Sequence, residues 1–538
     1  LDNNWSKHFP YKYPRQQQTN VINHVLDEFK NGKKYAIIEC GTGVGKSAIG
    51  LTIAKSLINN SEYHSDFENG SYFLTTQKIL QDQYEKDFSK NGLISLYSSS
   101  NYKCGIDLNA SCKEIQTGLR SKSLPKKYDS CGYNCCYKAK KKDFIDGSLG
   151  VTNFSYFLTE KNYSAKLPNK KVLIIDEAHN LENELSRFIE ISVSGYFSEK
   201  ILKLRMPKDL TTQFKSFKWI KETYYPAVER KYNFVSVQLE RLGLNSNKLE
   251  EFKKITNQVE MLNSHMKKIK QFIEIYDKDN WIFDTEATND KYNKLIFKPI
   301  DVSHYSQQYL LGYADFVIFM SATIISPEGF KQTVGLKDEL TTYVKEESPF
   351  DPANSPIVYS PAGSMSSKNI DNTLPLMKQM IVQILNEHKN EKGIIHTHST
   401  KVANYLVKNI KDKRLIIAHG ADRDKMLQKH INSKTPTVLI SPSMAEGVDL
   451  KGEASEFQIL CKVPFPYLGD KLIRKKMNKW KWWYNTQTIR TIVQSVGRSI
   501  RSENDKAVTY ILDSDWERIK QKSYDSFPSN FMKSYIEA

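Results

Sequence analysis

Residues 39–50 read ECGTGVGKSAIG, directly after the apolar run Tyr35–Ile38 and directly before the helical pattern Ala48–Leu57. A glycine-rich turn between a buried strand and a helix points several backbone N–H groups at one spot, at the positive end of the helix dipole. That arrangement is a phosphate cradle. Gly41, Thr42, Gly43 and Gly45 form its walls, Lys46 reaches the β and γ phosphates, and Ser47 offers its hydroxyl to Mg²⁺. Cys40 stands where the strict G-x-x-x-x-G-K-[ST] pattern begins with glycine. The reading therefore rests on the strand-turn-helix context as much as on the spelling.

The rest of the chain agrees with an α/β architecture. Strand-like runs at Ser71–Thr76, Leu149–Asn153, Lys171–Asp176 and Phe316–Thr323 alternate with helical patterns, which implies a parallel sheet with its ligands at the carboxyl ends of the strands. A second set of strand candidates follows at Gly393–His398, Arg414–His419, Thr437–Ser441, Gln458–Val463 and Val508–Asp513. Two stretches break the rhythm. From about Gly92 to Lys142 periodic apolar residues give way to Cys, Lys, Tyr and Ser, so a metal could substitute for a core. After Asn180 the chain turns helical and basic. Leu249, Phe252, Ile255, Val259, Leu262, Met266, Ile269 and Ile273, three or four apart, predict one long helix with a buried stripe.

With 538 residues the chain has room for three or four compact units. Its formal charge of +17, from 78 basic and 61 acidic side chains, predicts a polyanionic partner. No apolar run approaches the roughly 18 residues of a membrane span, and an intracellular protein is expected. Five of the seven cysteines fall between Cys104 and Cys136, a clustering that in such a protein suggests a metal more than disulfides.

Two further motifs carry chemistry. Asp176-Glu177-Ala178-His179 ends an apolar strand, where Asp176 can hold Mg²⁺ through water and Glu177 can orient or deprotonate the attacking water. In Gln494-Ser495-Val496-Gly497-Arg498-Ser499-Ile500-Arg501, two arginines at (i, i+3) share a helix face. Guanidinium forks suit a transferring phosphate, so Arg498 and Arg501, with Gln494, are the γ-phosphate candidates. Lys138 and Lys140 to Lys142, beside Tyr133 and Tyr137, have the basic and aromatic interleaving that suits a single strand. Trp480, Trp482 and Trp483 are expected to cover a core or interlobe surface.

The ordered set GTGVGKS, DEAH, MSATI (320–324), MAEGVDL (444–450) and QSVGRSIR resembles a superfamily 2 helicase. The cysteine insertion before DEAH, the helical insertion before SAT and the SPF turn at Ser348–Phe350 are similar to the XPD/DinG branch. The resemblance implies two RecA-like lobes and these bounds: lobe 1 at 1–95, 147–190 and 286–335, an iron–sulfur insertion at 96–146, a helical arch at 191–285, and lobe 2 at 336–538. It implies that Gln16, in YPRQ, reads the adenine and that Glu446, Gly447 and Asp449 touch both nucleotide and strand. Ser321, Ala322 and Thr323 would couple hydrolysis to lobe movement. Thr75, Thr76, Gln77 and Asn153 would meet the DNA backbone. Cys104, Cys112, Cys131 and either Cys135 or Cys136 would hold a [4Fe–4S] cluster, although their spacing departs from the commonest pattern of the family and four thiolates also suit Zn²⁺.

The function expected is an ATP-dependent DNA helicase acting as a monomer on forked or tailed duplex, and the resemblance implies movement 5′ to 3′ on single-stranded DNA. A protein partner could attach at the arch. The alternatives are an ATP-gated nucleic-acid clamp that separates no strands, and an RNA helicase.

Overall fold

The structure, a computed structural model, describes residues 5–120, 131, 135–164, 166–242, 249–287, 293–418, 420–442, 454–500 and 502–537. Tyr133, His419, Glu446, Gly447, Asp449 and Arg501 lie outside the described residues.

The first lobe is built on seven parallel strands in the spatial order Thr341–Glu346, Tyr35–Cys40, Phe316–Ser321, Lys170–Asp176, Glu68–Thr75, Leu149–Asn153, Leu93–Ser95. The three strands Tyr35–Cys40, Phe316–Ser321 and Lys170–Asp176 are buried at every residue, as parallel strands covered by helices on both faces must be. The register pairs Glu39 with Ser321 and Asp176 with Met320. Consequently the phosphate loop, the DEAH segment and the SAT segment emerge side by side from one edge of the sheet.

The second lobe repeats the plan with seven parallel strands: Leu415–Ile417, Val438–Ser441, Gly393–His396, Phe457–Leu460, Val508–Asp513, Ile357–Gly363, Tyr535–Glu537. Among the described residues no helix is long and apolar enough to cross a membrane.

Two expected boundaries move. Thr341–Glu346 pairs residue for residue with Tyr35–Cys40, so the first lobe runs past 335. Asn293–Pro299, expected in that lobe, pairs antiparallel with Ile191–Ser194 and Trp281–Ala287 instead. The reason is its alternating burial, which leaves only one apolar face. Leu295 and Phe297 on that face join Phe252, Val259, Leu262, Ile269 and Phe272 of the helix Leu249–Ile275 in a separate core. The arch is thus a helical hairpin on a three-stranded base. Its lysines also turn inward: Lys253 donates to Asn109 O (3.1 Å), Lys267 to Tyr163 O (3.0 Å) and Lys268 to Arg187 O (3.2 Å). These three lysines therefore tie the arch to its neighbours.

Candidate active site

Gly43 and Gly45 both take left-handed backbone angles (φ 88° and 89°), which L side chains rarely adopt, and Gly45 immediately precedes the helix Lys46–Asn59. The turn is also crowded from outside. A Cβ at Gly41 would meet Ser348 N at 2.5 Å, one at Gly43 would strike the Phe350 ring, and one at Gly45 would lie 2.6 Å from Gln18 Nε2. The SPF turn is therefore seated on the loop, with Ser348 Oγ donating to Thr42 O at 2.8 Å. Lys46 Nζ donates to Cys40 O at 3.2 Å, and so already points back across the loop.

Gln18, not Gln16, approaches this loop. Gln16 Nε2 bonds Asn20 Oδ1 (2.8 Å) on the helix surface, while Gln18 is buried and accepts from Arg15 N at 2.8 Å. The Arg15 side chain donates to Gly43 O. The first turn of helix Gln16–Lys30 turns residues 16 and 18 about 200° apart, so the two side chains lie on opposite faces and only Gln18 stands against the loop.

At the DEAH tip, Asp176 Oδ2 accepts from Tyr84 Oη (3.0 Å) and Oδ1 from Glu177 N (2.9 Å). Burial first, and then the neighbouring Glu177 carboxylate, push Asp176 up to about 6. Glu177 itself is held at φ 50°, a strained conformation that aims its side chain into the cleft. Burial lowers His179 to about 4, so its ring is neutral near pH 7. Its Nδ1 lies 2.8 Å from Ser321 Oγ, and its Nε2 lies 2.8 Å from the Gln494 amide nitrogen. A neutral ring that accepts from Gln494 at Nε2 carries its proton on Nδ1, where Ser321 can take it. Gln494 also donates to Thr323 Oγ1 (3.0 Å), and Arg490, one turn earlier, donates to Thr323 O and Ile324 O at 3.1 and 3.2 Å. DEAH, SAT and the second-lobe helix Trp483–Val496 are joined in one relay. Arg490 escaped the sequence reading, although its position four residues before Gln494 was the available signal.

Between the lobes lies a cavity of about 750 Å³ lined by Gly41, Thr42, Gly43 and Glu177 from one side and Gln494, Gly497 and Arg498 from the other. Thr76 and Gln77 reach its rim. Thr75 does not: it is fully buried, with its hydroxyl on Gln77 O (3.2 Å). Asn153 caps the helix Phe154–Thr159 by accepting from Tyr156 N at 2.9 Å. The oxygen donors Ser47 and Asp176 flank the phosphate loop and suit a hard cation such as Mg²⁺.

In the insertion, Cys104, Cys112, Cys131 and Cys135 are buried and Cys136 is exposed. Cys112 Sγ lies 3.2 Å from Cys135 Sγ, and Cys131 neighbours Cys135 and Cys104. Cys135 therefore completes the inward set. Among the described residues no three His, Cys, Asp or Glu side chains stand at metal-holding geometry; burial and the nearby Cys135 raise the Cys131 thiol to about 11. An all-sulfur set suits an iron–sulfur cluster or zinc and does not suit Mg²⁺ or Ca²⁺. Tyr137 is buried with its hydroxyl 2.7 Å from Tyr156 Oη, so it is no stacking platform. Lys140 and Lys141 pair with Glu85 and Glu160, whereas Lys138 is exposed.

A phosphate loop, a DEAH strand tip and the arginine-bearing end of the helix Trp483–Val496 face each other across two parallel-sheet lobes, the arrangement expected from the resemblance to superfamily 2 motors. The helicase C-terminal domain family matches residues 381–535, and the family described as type III restriction enzyme, res subunit, matches residues 12–206. A solved XPD helicase superposes with a TM-score of 0.64 at 15% identity, covering 98% of this chain and all of that one. Xpd4 of S. tokodaii gives 0.60 at 14%, covering 97% and 100%. In sequence the chain is similar to a probable ATP-dependent helicase of Methanocaldococcus jannaschii (23% identity over 96% of this chain and 94% of that one). The ATP-dependent DNA helicase YoaA of Haemophilus influenzae is 21% identical over 97% and 93%. By fold and motif order the chain is similar to the XPD/DinG-like superfamily 2 helicases.

Proposed function

We propose that the protein is an ATP-dependent DNA helicase that moves 5′ to 3′ on single-stranded DNA and opens forked or tailed duplex. The observation that carries this reading is the interlobe cavity, because its two walls supply complementary halves of a phosphoryl-transfer site. Lys46 and the loop amides hold the phosphates of ATP, and Glu177 orients and deprotonates the attacking water. Arg498, with Arg501, offsets the charge that develops on the leaving phosphate. Ser47 and Asp176 would hold Mg²⁺, which when bound neutralises charge on the β and γ oxygens. Cys104, Cys112, Cys131 and Cys135 would hold a [4Fe–4S] cluster that stiffens the insertion beside the strand path.

Closure of the second lobe on nucleotide passes through the relay Gln494–His179–Ser321, so the state of the phosphates is felt by both lobes. Thr76, Gln77 and Asn153 on the first lobe, Glu446, Gly447 and Asp449 on the second, and Tyr133 and Lys138 in the insertion form the strand path in this reading. Its net positive charge supports a polyanionic substrate, and binding should weaken steeply with salt.

The test is ATP-dependent unwinding of duplexes that carry either a 5′ or a 3′ single-stranded tail. Opening of the 5′-tailed duplex alone is expected. Opening of only the 3′-tailed one overturns the polarity, and DNA-stimulated hydrolysis without unwinding favours the clamp.

A further inference from the structure

Tyr84 plays no part in the reaction as set out above, yet its surroundings are those of a functional group. It lies on the helix Lys78–Phe88, its ring packed between Phe73 and Phe88 with centroid separations of 5.7 and 5.9 Å. The aromatic clamp fixes the ring, and so fixes the phenol oxygen at its end. That oxygen is buried. It donates to Asp176 Oδ2 at 3.0 Å and has the Ser47 side chain beside it.

The directions of these bonds matter. Asp176 is a carboxylate and only accepts, so the Tyr84 proton goes to it and the phenol oxygen keeps lone pairs free to accept. A serine hydroxyl that ligates a cation must turn a lone pair toward the metal and send its proton elsewhere. The Tyr84 oxygen, beside Ser47, is an acceptor within its surroundings. The other oxygen of Asp176 is held by Glu177 N at 2.9 Å, so both oxygens of the carboxylate are fixed.

Ser47 opens the helix after the phosphate loop, Asp176 ends a strand two places away in the sheet, and Tyr84 comes from a third element. If the position demanded only apolar volume, Phe would fill it without a buried hydroxyl to satisfy. Partners that stand behind metal ligands set their orientation and commonly contribute 10- to 100-fold in metal affinity, as an order of magnitude.

We propose that Tyr84 is a positioning residue for the Mg²⁺ that accompanies bound nucleotide, holding the Ser47 hydroxyl and the Asp176 carboxylate in a single orientation from behind. The proposal rests on the reading of the cleft as an ATP site. It assigns the helix Lys78–Phe88 a role in metal binding besides its place next to the expected strand-contacting residues Thr76 and Gln77.

The experiment compares the full chain with Tyr84→Phe, which keeps the ring and its packing, using Mn²⁺ as the spectroscopic substitute and the non-hydrolysable AMP-PNP as nucleotide. Mn²⁺ affinity of the protein–AMP-PNP complex, read by electron paramagnetic resonance, should fall about tenfold or more. AMP-PNP affinity in EDTA should stay within about twofold of the parent, because the phosphate cradle itself is untouched. Unchanged Mn²⁺ affinity overturns the proposal. An equal fall in the metal-free affinity overturns it too, since that is the signature of general disorder. Failure of the parent chain itself to bind Mn²⁺ with AMP-PNP would overturn the ATP-site reading and this proposal together, whereas a defect confined to the variant leaves that reading standing.

Discussion

The two lobes touch each other in two places of opposite character. On the nucleotide side they face each other across a cavity of about 750 Å³, bridged by the Gln494 and Arg490 side chains. On the other side, helix Lys471–Lys479 and the tryptophans after it are pressed onto the first lobe and the arch. There Lys476 pairs with Glu182 in a buried contact, Trp483 Nε1 donates to Glu182 Oε2 (3.2 Å), Lys479 reaches Asp301 Oδ2 (2.5 Å) and Lys471 reaches Asp284 Oδ1 (2.9 Å). Gly329 lets the Trp482 ring settle where a Cβ would stand only 2.5 Å from it. One contact leaves an open cavity between the lobes, and the other is closed by paired side chains. Glu182 belongs to the helix Leu181–Ile189, which begins directly after the turn Ala178–Asn180 that carries His179, so the closed contact anchors the element next to that turn.

Breaking the closed contact should have the largest effect on stability. Lys476→Met leaves Glu182 buried without its counter-charge and should cost about 3–5 kcal/mol in denaturant unfolding of the chain. Adding Glu182→Gln, which still accepts from Trp483, should restore most of that. Breaking the open side should instead leave unfolding alone and stop the chemistry: Lys46→Ala is expected to lower DNA-stimulated ATP turnover by on the order of 10²–10³-fold, or about 2.7–4 kcal/mol, in a steady-state phosphate-release assay.

Acid sharpens the contrast. His179 has its folded pKa lowered to about 4 against an ordinary value of 6.5, so its contribution to stability is complete above pH 6.5 and is lost as pH falls toward 4. Within that window the His179 share of the loss is about 1.4 kcal/mol per pH unit, so His179→Gln should change the slope of unfolding free energy against pH by that amount relative to the parent. The smallest effect is expected from Gln494→Ala, which removes hydrogen bonds worth about 1 kcal/mol from the relay and should reduce the ratio of DNA-stimulated to basal turnover roughly five- to tenfold.

Much of this was legible in the sequence, for a physical reason. Strands buried on both faces must be apolar throughout, so Tyr35–Cys40, Lys170–Asp176 and Phe316–Ser321 announced themselves, and the motifs at their ends came with them. Edge strands such as Leu93–Ser95 and Thr341–Glu346 are short or only part-buried and carry no comparable signal. The arch base was hidden because its pairing is between segments about 100 residues apart in the chain. At the site, the motif residues expected to touch nucleotide were legible as letters, whereas the residues that stand behind them were not. Gln18, Arg490, Glu182 and Tyr84 are ordinary letters until the fold places them behind Gly45, Thr323, Lys476 and Asp176. The choice between Cys135 and Cys136 likewise needed the direction of each side chain, which spacing does not contain.

The central claim is that the cleft is the working joint and the Lys476–Glu182 side is its fixed counterpart. Two distances test it, measured by single-molecule fluorescence transfer with non-cysteine labels: Gln83 to Ser502 across the cleft, and Lys337 to Lys481 beside the closed contact. Addition of Mg²⁺, AMP-PNP and single-stranded DNA should shorten the first distance and leave the second unchanged. A fixed cleft distance, or a Lys337 to Lys481 distance that changes as much as the cleft does, would contradict the account.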